Sequence, residues 1–205
     1  MKGVNFRESS LASDTLVKTN LKNTSQPAVS GTKMTNTHDN KNEPVVEISS
    51  ENNLCIIYVS KYRMNKEVGF GRKLLQILED FQLYYRHIPS GVDALNLVLH
   101  ENQLDQIIES KLIQRISTEL SADKVTIERN IALIMLIGGK MHHNAESIAR
   151  AARVLAEKRI NIEMIHMNQG SSQISLVFGV KAHDEKRAVA AIHNEFFCKC
   201  VDLKY

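Results

Sequence analysis

The chain has 205 residues, 43% of them hydrophobic, enough to bury one or two small cores and to exclude a chain disordered throughout. Its formal charge of +3 comes from Lys and Arg interspersed with Asp and Glu, so no basic stripe points to nucleic acid. Three cysteines, Cys55, Cys198 and Cys200, make no disulfide framework, and with a polar N-terminus and no bilayer-length apolar run they predict a cytoplasmic protein without a membrane segment.

Residues 24–44 are polar and rich in Asn, Thr, Ser and Pro, and read as loop and linker. A short strand is expected over 45–48 and a second over 54–59, whose unbroken apolar run (LCIIYV) suits a buried central position. Val68, Leu74, Leu75, Leu78 and Phe81 recur at intervals near three and four and predict a helix over 67–80 with one apolar face. Strands over 83–88 and 92–99 follow, joined at Pro89-Ser90-Gly91. A helix over 103–119 carries Leu104, Ile107, Ile108, Leu112, Ile113 and Ile116, and a strand over 124–127 can close the unit.

The plan then repeats, with a strand over 131–137, a helix over 145–158, strands over 160–166 and 173–180, and a helix over 184–197. Leu78 answers Leu155, Ile88 answers Ile165 and Gly91 answers Gly170, a separation too long for a solenoid unit and suited to a duplicated small domain. Each unit is βαββα with a further strand available. Such units fold as an antiparallel sheet with two helices on one face, so the expected class is α+β, with two ferredoxin-like βαββαβ units.

The loops 61–69 and 138–146 each lead from a strand into a helix N-terminus, where free N–H groups and the helix dipole favour an anion such as a carboxylate. The plain alternative is an ordinary strand-to-helix loop. Gly69 and Gly71, on either side of Phe70, permit close approach by a ligand backbone or serve tight helix packing. His142-His143 lacks a carboxylate or thiol at ligand spacing, so no metal is expected, and Cys198-x-Cys200 reads as surface or helix-packing thiols. No nucleophile elbow, Walker-type loop or HExxH is present, so no catalytic residue is assigned. RNA-binding modules share this plan but need exposed aromatics on the central strands, which IALIMLIG and QISLVFGV lack.

The set VGFGRKLLQILED, HIPSGVD, INIEMI, NQGSS and FGVKAHDEKRAVAAIHNEFF resembles the C-terminal regulatory region of aspartate kinases of the monofunctional Bacillus type, a tandem of ACT domains. LKNTSQPAVSGT (21–32) resembles the segment that closes the family's kinase domain, and NFRESSL (5–11) a segment before it, with Arg7 where the family usually has histidine. The resemblance implies a kinase-domain remnant over 1–34, a linker over 35–44, a first ACT domain over 53–129 inserted into a second made of 45–52 and 130–205. The family's KFGGTS signature, used for ATP and aspartate, is not among these residues. No phosphorylation of aspartate is therefore expected of this chain alone, and ATP and Mg belong to the full-length enzyme.

By the same resemblance, two chains pair their first ACT domains into a homodimer, and lysine or threonine binds at the interface for feedback control. The effector carboxylate is expected near Met64, Glu67 and Gly69, with Gly71, Tyr84, Tyr85 and Arg86 from one chain and Phe70, Ser90 and Gly91 from its partner. Phe70→Asp is then expected to disrupt the dimer. Arg86 stands where the family has an acid for the effector ammonium, and a cation there repels an ammonium unless another group, such as Glu67, offsets it. In the second unit Asn144-Ala145-Glu146 and Gln173 also depart from the family pattern. Three readings stay open: an effector-binding regulatory module, with a kinase in the same chain or as a separate catalytic subunit; a degenerate assembly module; and a truncated enzyme product.

Overall fold

The computed structural model describes residues 33–35, 45, 47–138, 145–169 and 174–198. The expectations for 1–32 and 36–44, and for His142, His143, Asn144, Gln173 and Cys200, lie outside the described residues.

Strands β1 (Lys33–Thr35), β2 (Glu47–Ser60), β3 (Tyr85–His87), β4 (Ala94–His100), β5 (Lys124–Gly138), β6 (Met164–Gln169) and β7 (Ile174–Lys181) share one sheet in the order β3-β4-β2-β5-β7-β6. β1 pairs with the N-terminal part of β2, and every ladder is antiparallel. Two units emerge from this order. The C-terminal part of β2, then α1 (Phe70–Asp80), β3, β4, α2 (Gln106–Glu119) and the start of β5 make a βαββαβ run. The rest of β5, then α3 (Ala145–Glu157), β6, β7 and α4 (Glu185–His193) make the second, whose fourth strand is Glu47–Glu51 of β2 paired with Leu133–Ile137.

Alternation along the strands separates two helix-covered cores. Cys55, Ile57 and Val59 of β2 and Leu97 and Leu99 of β4 meet Leu74, Ile77 and Leu78 of α1 and Leu112 and Ile116 of α2. Ile134 and Leu136 of β5 and Leu176 and Phe178 of β7 meet Val154 and Leu155 of α3 and Val189 and Ile192 of α4. Each such side chain contributes ~1.5–3 kcal/mol on burial, so these two clusters dominate stability. A third cluster joins the faces that the helices leave open: Leu54, Ile56 and Val98 of the first unit pack on Ile131, Leu133, Met164 and Val177 of the second.

Two asparagines make this folding-over possible. Asn53 in β2 and Asn130 in β5 adopt φ of 61° and 59°, a left-handed conformation that Asn tolerates better than branched residues, and the β2–β5 register shifts between Glu51 and Leu54. Before the bulge Ile48 faces α3 and α4; beyond it Leu54 and Ile56 face away from α1 and α2. Glu185, buried at the start of α4, accepts hydrogen bonds from Ser50 Oγ (2.6 Å) and Asn52 Nδ2 (2.8 Å), fixing the second helix layer to the bulge.

The structure corrects several boundaries. The expected separate strands 45–48 and 54–59 are one strand, as are 124–127 and 131–137, because the bulges bend the pairing without ending it. The helix expected over 67–80 begins at Phe70, since Gly69 at φ 84° caps it, and Val68, counted on its apolar face, is 96% exposed. The helix expected from 103 starts at Gln106, where Asp105 accepts hydrogen bonds from the N–H groups of Ile107 (2.9 Å) and Ile108 (2.7 Å), a cap worth about 1 kcal/mol. The strand expected over 160–166 begins at Met164, because Ile160 N–H still bonds Leu155 O (3.0 Å) and Arg159 turns left-handed (φ 54°). The last helix runs on from His193 as a π-helical turn, Asn194–Cys198.

Candidate functional site

The loop after β2 forms a short 3-10 turn (Met64–Lys66) and then enters α1. Met64 and Phe70 are buried and anchor the loop to the first core. Gly69 requires its left-handed φ, and a Cβ at either Gly69 or Gly71 would meet nothing within 4 Å. The Glu67 carboxylate is paired with Lys61 and with Lys73 (3.4 Å). The hydrogen bond from Lys61 is the largest cause holding its pKa below the usual carboxylate value. Two lysines and one carboxylate thus leave a net positive charge beside the N-terminus of α1, which adds its own partial positive charge.

A second loop is stitched to the first. Lys61 N–H bonds Asp93 O (2.9 Å), Asn65 N–H bonds Val92 O (3.2 Å), and Arg63 N–H bonds Asp93 Oδ1 (2.8 Å). Ser90 and Gly91 are exposed on this second loop, where Gly91 N–H donates to Ala94 O (2.7 Å). Met64, Glu67, Gly69, Phe70, Gly71, Ser90 and Gly91 therefore share one end of the first unit.

Tyr84, Tyr85 and Arg86 lie towards the other end. Ser60 pairs with Ala94 but Tyr85 pairs with Leu99, so about 17 Å of β4 separates the two groups within one chain. Gln103 clamps the Tyr84 backbone, accepting from its N–H (2.9 Å) and donating to its carbonyl (3.0 Å). Tyr84 and Tyr85 are about half exposed and border a groove of about 480 Å³ with Leu75, Leu78 and Leu83. Among the described residues β3 pairs only with β4, so its outer edge beside this groove is open.

Arg86 points elsewhere, onto the face between the two units. Its Nε (3.1 Å) and Nη2 (2.8 Å) donate to Glu51 Oε2, and Glu51 Oε1 lies 2.9 Å from His100 Nε2. Glu67, the group considered above as the offset to this cation, is held instead by the lysines. Next to Arg86, the His87 ring packs edge-on against His166 of β6, with centroids 4.6 Å apart. Burial, then the neighbouring His166, lowers the His87 pKa. Glu51, His87, His100 and His166 carry no motif; they meet only through the pairing of β3 and the folding-over of the sheet.

Cys55 is buried in the first core, and burial pushes its thiol up to about 11. Cys198 is exposed with Sγ 3.7 Å from His193 Nδ1. Among the described residues no group of three or more His, Cys, Asp or Glu could hold a metal ion, and no helix is long and apolar enough to cross a membrane. The open sheet faces, which an RNA-binding module of this plan would expose, are packed against each other.

A family model described as ACT domain matches residues 134–196. Aspartokinase 3 of Bacillus subtilis (strain 168) is 49% identical over 177 residues, covering 86% of this chain and 38% of that protein. The chain thus spans well under half the length of this curated relative. The crystal structure of Clostridium acetobutylicum aspartate kinase is similar with a TM-score of 0.67 and 35% identity, over 74% of this chain and 34% of that one. The regulatory subunit of aspartate kinase from Thermus flavus shares the fold, with a TM-score of 0.61 at 17% identity, over 75% of this chain and 99% of that one. Identity over most of the chain and the two sheet-and-helix units agree: the chain belongs to the aspartate kinase family, within its ACT-domain regulatory region.

Proposed function

We propose that the chain is the amino-acid-sensing and dimerising part of an aspartate kinase, with one ACT domain (53–129) inserted into another (45–52 with 130–205). Two copies join along β3 and α1 of the first domain. Lysine or threonine binds where the α1 N-terminus of one copy faces Ser90 and Gly91 of the other. The enzyme so regulated phosphorylates L-aspartate with ATP and Mg, held by a catalytic part in the same protein or in a separate subunit.

The observation that carries this reading is the cationic N-terminus of α1, with its two unobstructed glycines, on the same unit as an open strand edge flanked by half-exposed Leu75, Tyr84 and Tyr85. The first feature suits a carboxylate; the second suits a copy of the same chain. The roughly 17 Å between the groups is no obstacle, because an isologous pair brings opposite ends of two copies together. The fold is shared with Escherichia coli aspartokinase III in complex with lysine and aspartate, and with a protein that is itself a regulatory subunit. Regulation follows if the effector binds more tightly to one conformation of the kinase than to the other.

Arg86 is compatible with an ammonium ligand because Glu51 already meets its charge. The assembly-only alternative draws on the Arg86 substitution itself and on Glu146, an exposed carboxylate in the first turn of α3 where an effector carboxylate would approach. Calorimetric titration of the purified chain with lysine, threonine and methionine, with the molar mass recorded in the same samples, separates the two. Saturable binding by a dimer, abolished by Gly71→Leu, is expected. A well-folded dimer that binds none of them would establish the assembly reading instead.

A further inference from the structure

The contact between the two units is not fully packed. A cleft of about 270 Å³ lies between β3 of the first unit and the open face of the second. Its polar wall includes Glu51, Arg86 and His87, beside Ser49 and Ser50; its apolar wall is Leu133, Met135 and Val177. The volume falls just below the ~300–1,000 Å³ of sites for drug-sized ligands, and so suits a small metabolite.

One buried polar atom here, His87 Nε2, has no hydrogen-bond partner, and Glu51 Oε1 has only His100 Nε2, at 2.9 Å, beside it. Buried polar atoms are usually satisfied, and a carboxylate oxygen has two lone pairs, so this wall has room for a donor group. Arg86 commits Nε and Nη2 to Glu51 Oε2, and its Nη1 is not used in that pair. The wall thus offers an anionic acceptor, an imidazole nitrogen and a guanidinium donor side by side, facing hydrocarbon.

We propose that this cleft between the units is a binding site for an α-amino acid with an apolar side chain, separate from the inter-chain site. Its ammonium is met by Glu51 Oε1 and His87 Nε2, its carboxylate by Arg86 Nη1, and its side chain by Leu133, Met135 and Val177. An amino acid here touches both units close to the bulges at Asn53 and Asn130, so its binding holds the two units at one angle. The site lies within one chain and does not depend on dimerisation.

The test is calorimetry of the full chain with L-norleucine, alongside hexanoate, which lacks the ammonium, and pentylamine, which lacks the carboxylate. Saturable norleucine binding is expected, at least about tenfold tighter than either analogue, since each lacks one of the two charge-assisted sets of hydrogen bonds. Met135→Trp fills the apolar wall and is expected to weaken norleucine at least about tenfold. Gly71→Leu, which lies in the inter-chain site, is expected to leave norleucine binding unchanged while abolishing that of lysine or threonine. Should Met135→Trp fail to fold, Glu51→Gln keeps the shape, removes the charge and is expected to weaken norleucine comparably. No saturable binding by the folded chain, binding that survives the cleft substitution that folds, or binding lost in Gly71→Leu would each overturn the assignment. Failure of norleucine to bind, or binding that survives the cleft substitutions, leaves the reading of lysine or threonine between chains standing.

Discussion

Arg86 and Glu51 stand 35 residues apart in the chain, yet the guanidinium places two hydrogen bonds, of 3.1 and 2.8 Å, on one carboxylate oxygen. Arg86 belongs to the edge strand of the first unit and Glu51 to the strand segment that completes the second, so the pair crosses the boundary between the units. Its Glu51 end is the better buried, with 16% exposure against 39% for Arg86, and solvent screens the pair from the arginine side.

A double-mutant cycle on this pair measures that link. Glu51→Gln and Arg86→Gln are each expected to lower stability by about 1 kcal/mol, and the double variant to lose less than the sum, by ~0.5 kcal/mol, after discounting for exposure. Urea midpoints at low salt provide the reading, and the coupling should shrink in 1 M salt. Strict additivity of the two single changes would show that the pair contributes nothing to the joint between the units.

Gly69 and Gly71 look equivalent in sequence but not in structure. Gly69→Ala forces a side chain into φ 84° and is expected to cost about 1 kcal/mol through strain alone, since its Cβ meets no atom. Gly71→Ala sits inside α1 with equally open space and is expected to leave stability unchanged or raise it by up to ~1 kcal/mol. Thermal melts of the two variants should therefore move apart. A loss of effector binding in Gly71→Ala with an undiminished melting temperature would then report an intermolecular contact. Phe70→Asp cannot serve this purpose, because Phe70 is buried in the first core and a carboxylate there would unfold the unit before it tested the interface.

Element types and their order were legible because Leu74, Leu78, Leu112 and Ile116 keep helical spacing and LCIIYV has the unbroken apolar run of a central strand. The duplicated plan added the sheet class. The fusion of 45–48 with 54–59 was not legible, since Glu51, Asn52 and Asn53 read as a polar break while in the fold they form a bulge that keeps its ladder partners. The loop end of the candidate site could be read from its glycines and the helix start. The Glu51, His100, His87 and His166 group could not, because its members share no spacing and meet only once the sheet has folded over on itself.

Cys55 provides an internal reporter of the first core. Buried with its thiol pushed up to about 11, it should resist iodoacetamide at pH 7.5 for both reasons, lack of access and lack of thiolate. Exposed Cys198 should label rapidly. In increasing urea, labelling of Cys55, followed by peptide mass spectrometry, is expected to rise with the unfolding transition of the first unit. Rapid labelling in the native protein would contradict the packing of β2 against α1 and α2.

His87 gives the joint between the units a pH dependence. In the unfolded chain this imidazole takes a proton near its ordinary value of ~6.5. In the fold, burial first and the neighbouring His166 second hold it below that value, and the adjacent Arg86 is a further cation, although Glu51 stands close enough to Arg86 to offset it. Between the two values the unfolded chain binds more protons than the folded one, so stability falls as pH falls. The contribution is complete above about pH 6.5 and is lost progressively below it. Urea midpoints measured from pH 7.5 down to 5 should decline more steeply for the native sequence than for His87→Leu, which removes the titrating group and keeps an apolar contact to His166. Equal slopes would mean that the edge-on histidine pair stays closed whatever its charge, and that acid sensitivity resides elsewhere in the chain.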